Sequence, residues 1–166
     1  MDGEVSEVLV RALAGTRRVL EVIWHGFVVT AVPLGLTFSA TYPHPLEAVW
    51  AAITDREALR TWFLENDFEP RLGQTFSVRG PHLGTVNCVV VALEPPRRMA
   101  WSWQSPDLPT PTRVVFTLEE VPDGTRLTID HVGPAHAIHE TDITRGWPNR
   151  LGRLDCWLAS RSRTAP

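Results

Sequence analysis

FSATYPHPLEAVWAAITDREALRTW, residues 38–62, changes its hydrophobic rhythm in the middle. Over Leu36–Tyr42 the side chains Leu36, Phe38 and Ala40 alternate with others, the period of a strand with one buried face. Pro43-His44-Pro45 ends that strand. Leu46, Val49, Trp50 and Ile53 then fall at i, i+3, i+4 and i+7, which predicts a short amphipathic helix with Pro45 at its first turn. Thr54 and Glu57 have the spacing of a capping box, so a second helix is expected to start at Thr54 and to close with Leu59, Trp62 and Phe63. One strand is thus followed directly by two short helices.

Working outward, Glu65–Gly73 reads as a loop, and after it come five strands separated by turn residues. They are Thr75–Arg79, Thr85–Leu93, Arg97–Gln104, Arg113–Val121 and Arg126–Val132, with Asp123-Gly124 as the last turn. Phe76 and Val78 share a face, as do Met99, Trp101 and Trp103, then Val114, Phe116 and Leu118, and finally Leu127, Ile129 and His131. Alternation of this kind describes an antiparallel sheet with one wet and one dry face. A helix from about Ala137 to Ser160 presents Ile143, Trp147, Leu151, Leu154 and Leu158 as an apolar stripe, with Gly146 and Pro148 interrupting it. The expected fold class is α+β, a curved antiparallel sheet wrapped around a long C-terminal helix.

Composition narrows the chemistry. The chain of 166 residues can bury a substantial core as one domain, and 43% hydrophobic with 21% charged residues is ordinary for a globular protein. All 16 basic residues are arginine, so lysine Schiff-base chemistry and a P-loop lysine are excluded. A net charge of −3 gives no footing for nucleic acid. Cys88 and Cys156 form no CxxC pair, which argues against a disulfide framework and for a reducing, cytoplasmic setting. Seven tryptophans against one tyrosine are the unusual feature: rings in that number fill a core or line a cavity.

Residues 1–35 read differently from the rest. Val5, Val8, Leu9, Ala12 and Leu13 recur at helical spacing, and Val19–Phe38 is mostly apolar. A membrane span would bury Glu21 and His25, and a twin-arginine export signal at Arg17-Arg18 would be processed inside the first strand. The expectation is an N-terminal extension over 1–35, a short helix plus an extra strand, before a domain at 36–160 and a tail at 161–166.

The order of elements, with Phe38–Trp62, Gly73-Gln74-Thr75-Phe76, Glu94-Pro95-Pro96-Arg97-Arg98-Met99-Ala100-Trp101-Ser102-Trp103, Gly124–Thr128 and Gly146-Trp147, resembles the Hsp90-ATPase-activator-homologue branch of the START/Bet v-like (SRPBCC) superfamily. The resemblance spans Leu36 to about Leu158 and implies a helix-grip fold with a ligand cavity. Members of that superfamily bind lipids, sterols, hormones and polyketides, and some are aromatase/cyclases; the fold alone selects none of these.

The candidate ligand-binding set is Trp62, Phe76, Trp101, Trp103, Phe116, Leu127, His131, Trp147 and Leu151, apolar walls with one imidazole. Asn87 and Ser102 are candidate orienting groups, provided they reach the interior. His131, His136 and His139 with Asp130, Glu140 and Asp142 resemble a metal set, but Pro134 separates His131 from the helix and a solvated helix start accounts for the cluster. Cys88 and Cys156 could both face inward as small apolar groups. Arg145, Arg150, Arg153, Arg161 and Arg163 read as the wet face of the closing helix. The expected function is binding of a hydrophobic small molecule, lipid-, aromatic- or polyketide-like, between sheet and helix. No cofactor or metal, no nucleic acid and no membrane partner is expected, and a homodimer stays open. The alternatives are a cyclase, dehydratase or hydrolase using a cavity histidine, and a chaperone-associated module.

Overall fold

From residue 33 onward the chain forms a strand and then two short helices. The computed structural model describes residues 9–12, 20–24, 27–31, 33–106, 110–134 and 140–162. In chain order the elements are β1 (Leu9–Ala12), β2 (Leu20–Trp24), β3 (Phe27–Ala31), β4 (Pro33–Tyr42), α1 (Leu46–Thr54), α2 (Arg56–Trp62) and β5 (Glu65–Asn66). Then come β6 (Thr75–Gly80), β7 (Gly84–Glu94), β8 (Arg98–Gln104), β9 (Thr112–Val121), β10 (Gly124–Pro134) and α3 (Glu140–Ser162). An eight-stranded sheet runs β1-β4-β10-β9-β8-β7-β6-β5, while β2 and β3 pair separately. All neighbouring strands are antiparallel. The chain leaves β4, crosses to the far edge through α1 and α2, and returns strand by strand until β10 lies against β4.

This is the α+β helix-grip architecture expected from the sequence. The predicted dry faces are buried: Leu36 and Phe38, Phe76 and Val78, Met99, Trp101 and Trp103, Val114, Phe116 and Leu118, Leu127, Ile129 and His131. Against them α3 lays Trp147, Leu151, Leu154 and Leu158, and burying each such apolar side chain contributes about 1.5–3 kcal/mol. Tyr42 Oη donates to the Leu151 carbonyl at 3.0 Å, pinning α3 to β4 from inside the core.

Four local expectations are corrected. Thr54 closes α1 and donates its hydroxyl to the Trp50 carbonyl, so it does not cap the second helix. Asp55 does, its carboxylate accepting from the Ala58 amide at 2.7 Å. Within the expected loop, Glu65–Asn66 pairs with β6 as an edge strand. Leu9–Ala12 is strand where the spacing suggested helix, because pairing with β4 satisfies backbone groups that an unpaired edge would leave open. Finally, Cys156 is exposed, lying about 200° around α3 from the buried Leu154, whereas Cys88 is buried. Among the described residues, no helix is long and apolar enough to cross a membrane.

Candidate functional site

Strand parity builds the site. On β8 every second residue points toward α3, which brings Trp101 and Trp103 inward beside Phe116 of β9 and His131 of β10. From the other side α2 ends in Trp62 and Phe63, and α3 supplies Trp147. The Trp101 and Phe116 ring centroids lie 4.5 Å apart, Trp101 and Phe76 5.1 Å, and Phe63 stacks on Trp147 at 5.3 Å and 10° between planes. Trp103 meets His131 edge-on at 5.9 Å. Sheet and helix therefore touch through their aromatic rings.

Of the nine expected site residues, all are buried. Ring contacts join Phe76, Trp101, Phe116, Trp147, His131 and Trp103 into one group, and Trp62 reaches it through Phe63. Leu127 stands apart, four residues from His131 and so about 13 Å along β10. Leu151 is one turn beyond Trp147, about 6 Å along α3.

His131 has a defined protonation state. The Trp147 indole N–H can only donate, and it points at His131 Nδ1 over 3.3 Å, so Nδ1 is the acceptor. The ring proton of the neutral imidazole then sits on Nε2, which donates to Thr112 Oγ1 at 2.7 Å. Thr112 in turn donates to the Trp103 carbonyl at 3.4 Å. Burial, followed by the positive charge of Arg150, pushes the His131 pKa down to about 4. Gly133 makes room for this chain of bonds: a Cβ there would lie 2.6 Å from Thr112 Cγ2.

The other interior polar groups differ in how well they are satisfied. Trp62 Nε1 donates to the Ala52 carbonyl at 2.9 Å. Trp101 Nε1 is buried and finds no hydrogen-bond acceptor among the described residues. Burial, with a contribution from Asp155, raises the Tyr42 phenol far above its ordinary value.

Asn87 and Ser102 do not reach this interior. They alternate with Val86, Cys88, Trp101 and Trp103, so parity sends them to the outer face, where they line an open groove with Asp67, Thr75 and Ser77. Ser102 Oγ there accepts from the Val89 amide at 3.0 Å. Asp130 is held by Thr37 on the same outer side of the sheet. His136 and His139, with the side chains of Glu140 and Asp142, lie outside the described residues; among those described, no three metal-ligating side chains gather.

Sequence reasoning missed three participants. Phe63 and Phe68 both contact Trp101, at 5.9 and 5.4 Å between centroids. Arg150, expected on the wet face, instead lies partly buried over the rings of Phe63 and Trp147, 5.1 and 5.7 Å from their centroids. The signal was present: Arg150 is three residues after Trp147, the spacing that makes helix neighbours. Of the other arginines, Arg145 and Arg153 are exposed, Arg161 lies over Trp157, and Arg163 is outside the described residues.

Known proteins share this architecture. The family described as "Activator of Hsp90 ATPase homolog 1-like protein" matches residues 43–159. Among solved structures, MLL2253 from Mesorhizobium loti is 28% identical, with a TM-score of 0.69 over 80% of this chain and 99% of that one. BH1534 from Bacillus halodurans is 29% identical, with a TM-score of 0.63 over 74% and 94%. CalU16 from Micromonospora echinospora is 25% identical, with a TM-score of 0.65 over 80% of each chain. No curated protein matches the sequence.

Proposed function

The chain belongs to the family of activator of Hsp90 ATPase homolog 1-like proteins, and from that premise we propose that it binds a hydrophobic, aromatic or polyketide-like small molecule between the sheet and α3. The binding unit is assigned to residues 36–160; the segment before it contributes β1 to the edge of the same sheet and the first residues of β4, and α3 runs on to Ser162. The observation that carries this reading is the Trp101 indole N–H, buried among aromatic rings without an acceptor among the described residues. A donor in that state costs about 1–3 kcal/mol, which a ligand carbonyl or ether oxygen would recover.

The rings touch one another, so a ligand enters as the first turns of α3 move away from β8–β10. Pro148 weakens the helix there, since it has no amide hydrogen for the carbonyl of residue 144. Binding is favoured over the alternative of proton-transfer catalysis because both ring nitrogens of His131 are engaged by Trp147 and Thr112. A general base would need a free lone pair directed at substrate.

The test is native mass spectrometry of the protein from its own host, followed by calorimetric titration with planar hydrophobic compounds. A co-purifying compound of defined mass, or saturable binding that weakens in Trp101→Phe, is expected. Absence of both would refute the reading.

A further inference from the structure

Among the described residues, Arg150 is a cation without a counter-charge. Arg60, Arg71, Arg97, Arg98 and Arg126 each pair with a glutamate, but among the described residues no carboxylate lies within ion-pair distance of Arg150. Its guanidinium is partly buried, its Cζ 5.1 Å from the Phe63 ring centroid and 5.7 Å from that of Trp147, contacts to ring faces that use no N–H in a hydrogen bond to an acceptor. Gly146 keeps that seat clear, since a Cβ at position 146 would stand 2.7 Å from Arg150 Nη1. Among the described residues, the titratable groups that interact with it add no negative charge: Arg153 is a second cation, and His131 is neutral. Burial, then Arg153, pushes the Arg150 pKa down to about 10, so the group stays charged at neutral pH.

We infer that Arg150 receives an acidic group of the ligand, and that the occupant is a planar aromatic carboxylate. This rests on the binding reading above and specifies its ligand class. The fork of N–H donors matches a carboxylate in bidentate fashion, and the aromatic group beside it, whose Phe63 and Trp147 stack on each other here, suits an aromatic ring once the rings part to admit it. A partly desolvated charge without a partner is less favourable than one in water, and an incoming anion offsets that cost.

The experiment is isothermal titration calorimetry with 2-naphthoate and with neutral 2-naphthamide, on the full chain and on Arg150→Gln, Arg150→Lys and Arg145→Gln, with near-ultraviolet circular dichroism to show that each variant is folded. Naphthoate is expected to bind the parent protein about tenfold or more tighter than naphthamide. That preference should fall to about one in Arg150→Gln, survive in part in Arg150→Lys, and persist in Arg145→Gln, since Arg145 is exposed. Equal binding of the two probes, or a preference that persists in Arg150→Gln, overturns the inference while the binding reading stands. If neither probe binds, the inference falls, and the binding reading stands or falls separately on the co-purification and titration test above.

Discussion

Acid is the sharpest probe of the His131 hydrogen-bond chain. Protonation would place a second N–H on Nδ1, facing the Trp147 N–H, and would bring a positive charge beside Arg150. Among the described residues packed around the imidazole, Thr112, Trp103 and Trp147 do not titrate near neutrality, and Arg150 is the charged neighbour. The folded pKa is about 4 against an ordinary 6.5. As pH falls, the unfolded chain takes up this proton first. The group's contribution to stability is therefore full above the unfolded value, drains away between the two values, and changes no further below the folded one. Linkage makes the loss about 2 kcal/mol between pH 7 and pH 5, and about 3 kcal/mol in all.

Urea unfolding of the parent protein and of His131→Gln, measured across that range, isolates this contribution, because carboxylates common to both cancel. The difference between the two stabilities should shrink by about 2 kcal/mol from pH 7 to pH 5. Nitrogen chemical shifts of the imidazole give an independent readout in the parent protein: Nδ1 should be bare and Nε2 protonated throughout. Parallel pH profiles, or an Nδ1-protonated ring, would refute the hydrogen-bond assignment.

Particular contacts elsewhere make two more predictions. Asp55→Ala should lower stability by about 1 kcal/mol in thermal or urea unfolding, whereas Thr54→Ala should change it by only a few tenths, the reverse of what a cap at Thr54 would give. Burial, followed by the charge of Asp67, pushes the Cys88 thiol up to about 12, so a disulfide reagent should modify one thiol of the native protein quickly, and Cys156→Ser should abolish that reaction. Rapid modification of Cys88 in the folded protein would contradict its place in the core.

Much of this was legible in the chain. Alternation in Leu36–Tyr42, in Arg97–Gln104 and in Arg126–Val132 named the dry face, because a strand must send successive side chains to opposite sides. The same parity carried Trp101, Trp103, Phe116 and His131 inward together, and the four- and three-residue steps of α3 supplied Trp147, Leu151, Leu154 and Leu158. Parity also excludes Asn87 and Ser102, which alternate with the inward residues of their own strands.

What no periodicity contains is the partner across space. Thr112 lies 19 residues from His131 and Trp147 lies 16, and only the pairing of β9 with β10 and the angle of α3 bring them to hydrogen-bond distance. Arg150 carries the same charge in sequence as Arg145, yet one is partly buried over two rings and the other is exposed, because a helix docked on a sheet covers some flanks and leaves others to water. Local pattern decides which side of an element is apolar. Tertiary packing decides which polar groups are trapped on that side, with what neighbours, and hence which of them carry chemistry.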